Sequence, residues 1–207
     1  MMSKTHIAVG VAAALTIAQT GSIESCVAAV IGGAAGGIIA DCDITPSRAH
    51  KDALIGRLIV VTLAVVCVAI DYFTGRGVCN YVIGHAGMPL VAGVALFVAL
   101  TFIGGHTDHR SFTHSIVAMA AFCLSAYLIY APILPYFAVG YVSHLVLDVT
   151  NKQGIRLFWP LSTQPSLGIC TAKGIANTAG MVIGVVTAVL LLALRLAPLF
   201  GLDVPVA

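Results

Sequence analysis

Charge is what this sequence most lacks. Its 207 residues include ten Lys or Arg and eight Asp or Glu, so only 9% are charged, against roughly 25% in soluble domains. A water-soluble protein of this length cannot cover its surface with so few. The aromatic share is 7%, with a single tryptophan, and the net charge is +2. With no basic run and no aromatic platform, nucleic-acid binding is excluded as an expectation. The six cysteines (Cys26, Cys42, Cys67, Cys79, Cys123, Cys170) show no CxxC spacing. Several lie inside apolar runs and read as small hydrophobes, not as a disulfide framework. Cys42, between two aspartates, is the one placed where a thiolate ligand would be useful, but it too reads first as a small hydrophobe.

What fills the chain is apolar. Hydrophobic residues make up 59% and mean hydropathy is +1.04, with Gly and Ala plentiful, as in tightly packed membrane helices. The composition predicts an integral membrane protein: an all-α, polytopic transmembrane helical bundle. Apolar segments fall at 7–20, 26–40, 54–70, 88–104, 116–131, 133–147 and 181–200. Only the last has the roughly 20 residues that cross a bilayer core comfortably, so four to seven spans are expected. Gly21-Ser22, Gly75-Arg76-Gly77, and Pro132 with Pro135 separate the members of successive pairs. Residues 1–160 read as a membrane-embedded metal-site domain, and 161–207 as a connecting loop with a C-terminal transmembrane helix. Lys4 and the apolar stretch after it have the look of a signal peptide, but another apolar run follows where a polar mature domain would be expected. The segment therefore reads as a retained helix.

The polar residues gather in four places. These are Thr5-His6; Asp41-Cys42-Asp43 with Ser47; His109-Arg110-Ser111-Phe112-Thr113-His114-Ser115; and His144 with Asp148. Two apolar segments separate each cluster from the next. A pair of segments leaves a membrane face and returns to it, so all four clusters are expected on one face. Lys4, Arg48, Lys51, Arg57, Arg110, Lys152, Arg156 and Lys173 fall at or near that face, while Arg76 and Arg195, with Glu24 and Asp71, fall on the other. The positive-inside rule then makes the cluster face cytoplasmic and puts the C-terminus on the opposite side.

The chemistry of each cluster follows from spacing. His144 and Asp148 stand four apart, on one face of a helix; they suit two ligands of one metal, or a carboxylate that orients the ring. The bland alternative is a hydrogen bond that pins two helices, but ionisable groups at membrane depth default to function. Asp41 and Asp43 follow Gly32, Gly33, Gly36 and Gly37, which permit close helix approach. Their spacing makes them diverge, so each serves a different ion or one is a ligand and the other a support. A plain helix end stopped by Pro46 is the alternative. His109 and His114 are too far apart around a helix to share a face. The expected geometry has His109 in a loop and Ser111 or Thr113 capping a helix that His114 opens. Arg110 is suited to grip a phosphate or carboxylate there, or simply to meet a lipid headgroup. His106 and Asp108 are further candidates in the same loop. His50 and His85 have no partner at a useful spacing.

Together, His6, Asp41, Asp43, His109, His114, His144 and Asp148 form a nitrogen and oxygen donor set on one face. Such a set suits zinc, and also manganese or iron, with one or two divalent ions expected. Three carboxylates against two such ions leave a positive site for an anionic substrate. Paired ions activate water and clamp a leaving oxygen, the logic of phosphoester hydrolysis. Asp41 or Asp43 would serve as general base and Arg110 would hold the anion. Two other readings compete. Intramembrane His and Asp also mark ion pathways, so a transporter is one; a non-catalytic scaffold locked by a metal is the other.

At these same residues the chain resembles the LexA-regulated, membrane-bound metal-dependent hydrolase family of bacterial inner membranes. The matching pieces are Thr5-His6, Asp41-x-Asp43 with Pro46-Ser47, and His109-Arg110-Ser111-Phe112-Thr113-His114-Ser115. The last is Gly140-Tyr141-Val142-Ser143-His144, continuing through Asp148, Gly154 and Trp159-Pro160. The resemblance runs from residue 5 to about 160. It departs at Ala40 and Ile44, where the family has Pro and His, and at Asn151, where a Thr is expected. That family is distantly similar to zinc-dependent phospholipases C and their nuclease relatives. The resemblance implies a helical divalent-metal site made of the seven residues above. It also implies membrane-lipid surroundings and an anionic phosphoester substrate, such as a phospholipid or lipid-linked phosphate.

Overall fold

The computed structural model describes residues 2–43, 46–171 and 174–202, with the backbone alone over 46–54 and at 57. The expected contributions of Ile44, Ser47, Arg48, His50, Lys51, Arg57 and Lys173 lie outside what is described. Among the described residues eight α-helices follow in order: α1 Ser3–Thr16, α2 Ile23–Ile39, α3 Pro46–Thr74, α4 Gly77–Gly84, α5 Met88–Gly105, α6 Ile116–Ile129, α7 Leu134–Val149 and α8 Ile175–Leu196. No strand occurs among the described residues; one isolated bridge joins Asn151 and Cys170. The all-helical expectation holds.

Among the described residues, four segments can cross a membrane by length and apolarity: Ile23–Asp43, Met88–Gly105, Ala131–Val149 and Ile175–Phe200. The pair Leu58–Thr74 and Gly77–Gly84, bent by 95°, would make a fifth. The count therefore falls in the lower half of the expected range. Two expected spans, α1 and α6, are short, at 14 residues each. The bend is made by Gly75 and by Arg76, whose φ of 60° is left-handed. Asp71 accepts from the backbone N–H of Val78 and Cys79, both at 2.9 Å, and so caps α4. The sequence reading has a turn here but misses the short helix after it.

The bundle is built around α1, whose Ile7, Val11, Ala14 and Leu15 are buried against α2, α7 and α8. Two sidechain-free contacts set the spacing. A Cβ on Gly33 of α2 would meet Gly10 O of α1 at 2.6 Å, and one on Gly140 of α7 would meet Gly33 O at 2.6 Å. One glycine thus lets three helices cross backbone to backbone, the small-residue packing that apolar surroundings favour. α8 lies along α1 and holds it at both ends. Asn177 Oδ1 accepts from Met2 N–H and Thr5 Oγ1, each at 2.9 Å. At the other end Arg195 donates to Leu15 O at 3.2 Å and Thr20 Oγ1 at 2.8 Å.

Candidate metal centre

Every polar cluster read from the sequence arrives at the same end of this bundle. His6 comes from the second turn of α1. Asp41 and Asp43 come from a single 3₁₀ turn, Ala40–Asp43, that follows α2. His114 closes a second 3₁₀ turn, Phe112–His114, and His144 and Asp148 come from the last two turns of α7. His6, His114 and His144 are all 0% exposed, which leaves their ring nitrogens dependent on what surrounds them.

Asp148 sits at the centre. Its Oδ1 is 3.3 Å from His6 Nε2, and its Oδ2 is 3.3 Å from His114 Nε2 and 3.6 Å from His144 Nε2. Asp41 Oδ1 stands 3.8 Å from Nε2 of both His114 and His144. The His6 and His144 rings stack with centroids 3.8 Å apart, and the Nε2 atoms of His114 and His144 face each other at 3.2 Å. Two triads have donor atoms that all lie within 4.8 Å of one another: His6, His144 and Asp148, and Asp41, His114 and His144.

The donors fit a divalent ion on three grounds. Neither ring nitrogen of buried His6 has a hydrogen-bond partner, a costly condition for a polar group out of water. His144 Nδ1 lies 2.8 Å from Gly37 O. A carbonyl only accepts, so that nitrogen carries the proton and Nε2 turns a lone pair inward, the usual support of a ligating histidine. The imidazole and carboxylate set is also the one borderline and hard divalent ions prefer. Burial opposes protonation of His114, but hydrogen bonds to Asp148 and Asp43 outweigh that and raise its pKa to about 9, so an ion bound there would have to displace that proton.

Five of the seven expected ligands form this cage; Asp43 and His109 stand beside it, outside both triads. Asp43 Oδ1 accepts from His109 Nδ1 at 2.8 Å, and its Oδ2 accepts from Arg110 N–H at 2.9 Å and Thr113 Oγ1 at 2.8 Å. Its Oδ2 is also 3.4 Å from His114 Nδ1. Asp43 therefore clamps the 109–114 loop and orients His114. The divergence expected of the two aspartates is realised as one facing the cage and one supporting it. The His109 side chain is 45% exposed, at the rim. The helix cap differs from expectation: Ser115 accepts from Ala118 N–H and opens α6, because Thr113 is committed to Asp43. Arg110 adopts a left-handed φ of 66°, which turns its guanidinium toward the cage. Its Nη2 is 3.8 Å from Asp148 Oδ2, and its Nη1 donates to Gly154 O at 3.3 Å.

His106 and Asp108 are exposed, and Cys42 belongs to neither triad. Sequence reasoning missed four supporting residues. Ser3 Oγ donates to Asp41 Oδ2 at 3.2 Å, Thr113 to Asp43 as above, and the Tyr141 hydroxyl to Thr113 O. Asn177 fixes the start of α1. Tyr141 and Thr113 lie inside quoted motifs, so their polarity in a buried context was a usable signal. Asn177 follows all of them and gave none beyond being polar at the head of an apolar helix.

A profile of the YdjM inner membrane protein family matches residues 1–200, nearly the whole chain. The chain belongs to that family. Two YdjM relatives, each described as inner membrane protein YdjM, come from Escherichia coli (strain K12) and Shigella flexneri; each is 37% identical over 59 residues. That stretch is 25% of this chain and 30% of either relative. No solved structure matches. YdjM membership and the apolar helices together support a bacterial inner-membrane location.

Proposed function

We propose that this YdjM-family protein is a metal-dependent hydrolase of phosphoesters, acting on a lipid or lipid-linked phosphate at the cytoplasmic face of the inner membrane. The observation that carries the reading is the cage itself. Five buried donors from four separated segments meet at one point, with the His6 ring nitrogens making no hydrogen bond and Nε2 facing Asp148 at 3.3 Å. Ionisable groups at that depth are expensive and are kept for function. His6, Asp41, His114, His144 and Asp148 would hold one or two divalent ions, zinc first and manganese or iron after it. Bound there, a divalent ion polarises a phosphoryl oxygen and eases deprotonation of water.

The chain's own groups supply the rest. Arg110, at the rim and 13% exposed, offers a guanidinium to the phosphate and offsets its charge. Both Asp43 oxygens are taken by the 109–114 loop and Asp41 Oδ2 by Ser3, so Asp41 Oδ1, facing the histidines, is the aspartate oxygen that would take a proton from the attacking water. Asp43 holds the loop that presents His114 and Arg110.

The test begins with metal analysis of detergent-purified protein. About one or two divalent ions per chain are expected, in keeping with the ligand count, and depletion in Asp148→Ala. Chelator-sensitive turnover of simple phosphodiesters or phospholipids completes it. Absence of metal sinks the reading; tightly held metal without turnover of any phosphoester makes the centre a scaffold.

A further inference from the structure

A second feature adjoins the cage. A groove of about 300 Å³ with an apolar surface runs between α6, α7 and the loop that follows α7. Met119 of α6, Val142, Val146 and Val149 of α7 and Leu157 of the loop line it, and Thr150 is its one polar residue. Val142 and Val146 are exposed, at 44% and 57%, so the groove opens on the outer surface of helices that face lipid. Three links tie it to the site. Leu145 and Val149 directly follow the cage residues His144 and Asp148. Leu157 accepts at its carbonyl from Ile116 N–H at 3.1 Å, two residues after His114. In the same loop, Gly154 O holds the Arg110 guanidinium and Arg156 N–H donates to Arg110 O at 3.0 Å. A single short loop thus has one side on Arg110, beside the cage, and the other on the groove.

We propose that the groove seats an acyl chain of a phosphate-bearing lipid whose phosphate meets Arg110. The apolar surface selects a hydrocarbon tail, and the guanidinium selects an anionic headgroup; a soluble phosphoester would use the second alone. The inference rests on the hydrolase reading for its consequence but not for its test.

The test uses the full-length protein in vesicles of phosphatidylcholine, doped with a phosphatidic acid that carries a photoactivatable diazirine near its acyl terminus. The matching diacylglycerol probe, which lacks the phosphate, serves as control. Labelled peptides are mapped by mass spectrometry. Phosphatidic acid is expected to enrich label on 116–119 and 142–157 at least threefold over diacylglycerol, while the outer faces of α5 and α8 label equally with both. Val146→Trp, which fills the groove from an exposed position, is expected to abolish the enrichment. Equal labelling by the two probes overturns the site. Enrichment in a protein that hydrolyses nothing keeps the site and removes the hydrolase reading; turnover of a water-soluble phosphodiester without enrichment does the reverse.

Discussion

At the scale of single residues, the cage divides labour between aspartates that a sequence presents as equivalent. Asp148 touches three imidazoles, so Asp148→Ala should lower metal content at least tenfold, read by elemental analysis of monodisperse protein. Asp43 acts through others. Asp43→Asn keeps an acceptor for the loop but drops the charge beside His114 Nδ1, and losses for such supporting groups run about 10–100-fold in metal affinity. Chelator competition measures it. His109→Gln, changed at the exposed rim, should leave metal content within a factor of about two of the parent, well below the loss expected of even a supporting group. A loss as deep as that of Asp148→Ala would return His109 to the ligand set. The His144 and Asp148 pair was legible from the four-residue spacing alone, since an α-helix fixes that geometry. The split between Asp41 and Asp43 was not, because it depends on a 3₁₀ turn of four residues whose rotation no local pattern announces.

At the scale of helices, the site is accurate only as far as α1 is held in place. Gly37 packs on the carbonyl of His6 itself: a Cβ there would lie 2.6 Å from His6 O. Gly37→Ala must therefore push α1 from α2, a strain of about 1–3 kcal/mol, visible as a lower melting temperature in detergent together with lost metal. Asn177→Ala strikes α1 from the opposite side. It leaves Met2 N–H without its acceptor and Thr5 with only the Asn177 carbonyl at 3.2 Å, a cost of about 1–3 kcal/mol for a buried donor. The distinguishing outcome is a His6 environment that shifts, seen by imidazole NMR, while the helical content by circular dichroism stays. Glycine runs and apolar lengths made α1, α2 and α7 readable as close-packed helices. The part played by α8 was unreadable, because contacts between residues 2 and 177 leave no trace in spacing along the chain.

At the scale of the whole molecule, what matters is that the described polar groups gather at two ends of the bundle. Glu24 accepts from the Tyr130 hydroxyl at 3.1 Å, and Ser25 pairs with the Tyr136 hydroxyl at 2.6 Å, at the end opposite the cage. Between them the core cluster against α1 includes Val11, Ala14, Leu15, Ala28, Ala29 and Ala34. A pathway protein would be expected to line that stretch with polar groups, so proteoliposomes loaded with a zinc-sensitive dye should show no uptake above empty vesicles. The out-and-back threading that separates the ends also makes topology testable. His85 is exposed beyond the end of α4, and His106 is exposed beside the cage. With the cage cytoplasmic, a membrane-impermeant maleimide added to spheroplasts should label His85→Cys and spare His106→Cys, both read above the signal of the unsubstituted protein. Permeabilisation should then expose the second. The reversed pattern would place the cage on the outer face of the inner membrane, and with it any substrate; equal labelling of both before permeabilisation would break the parity from which the single-faced site was inferred.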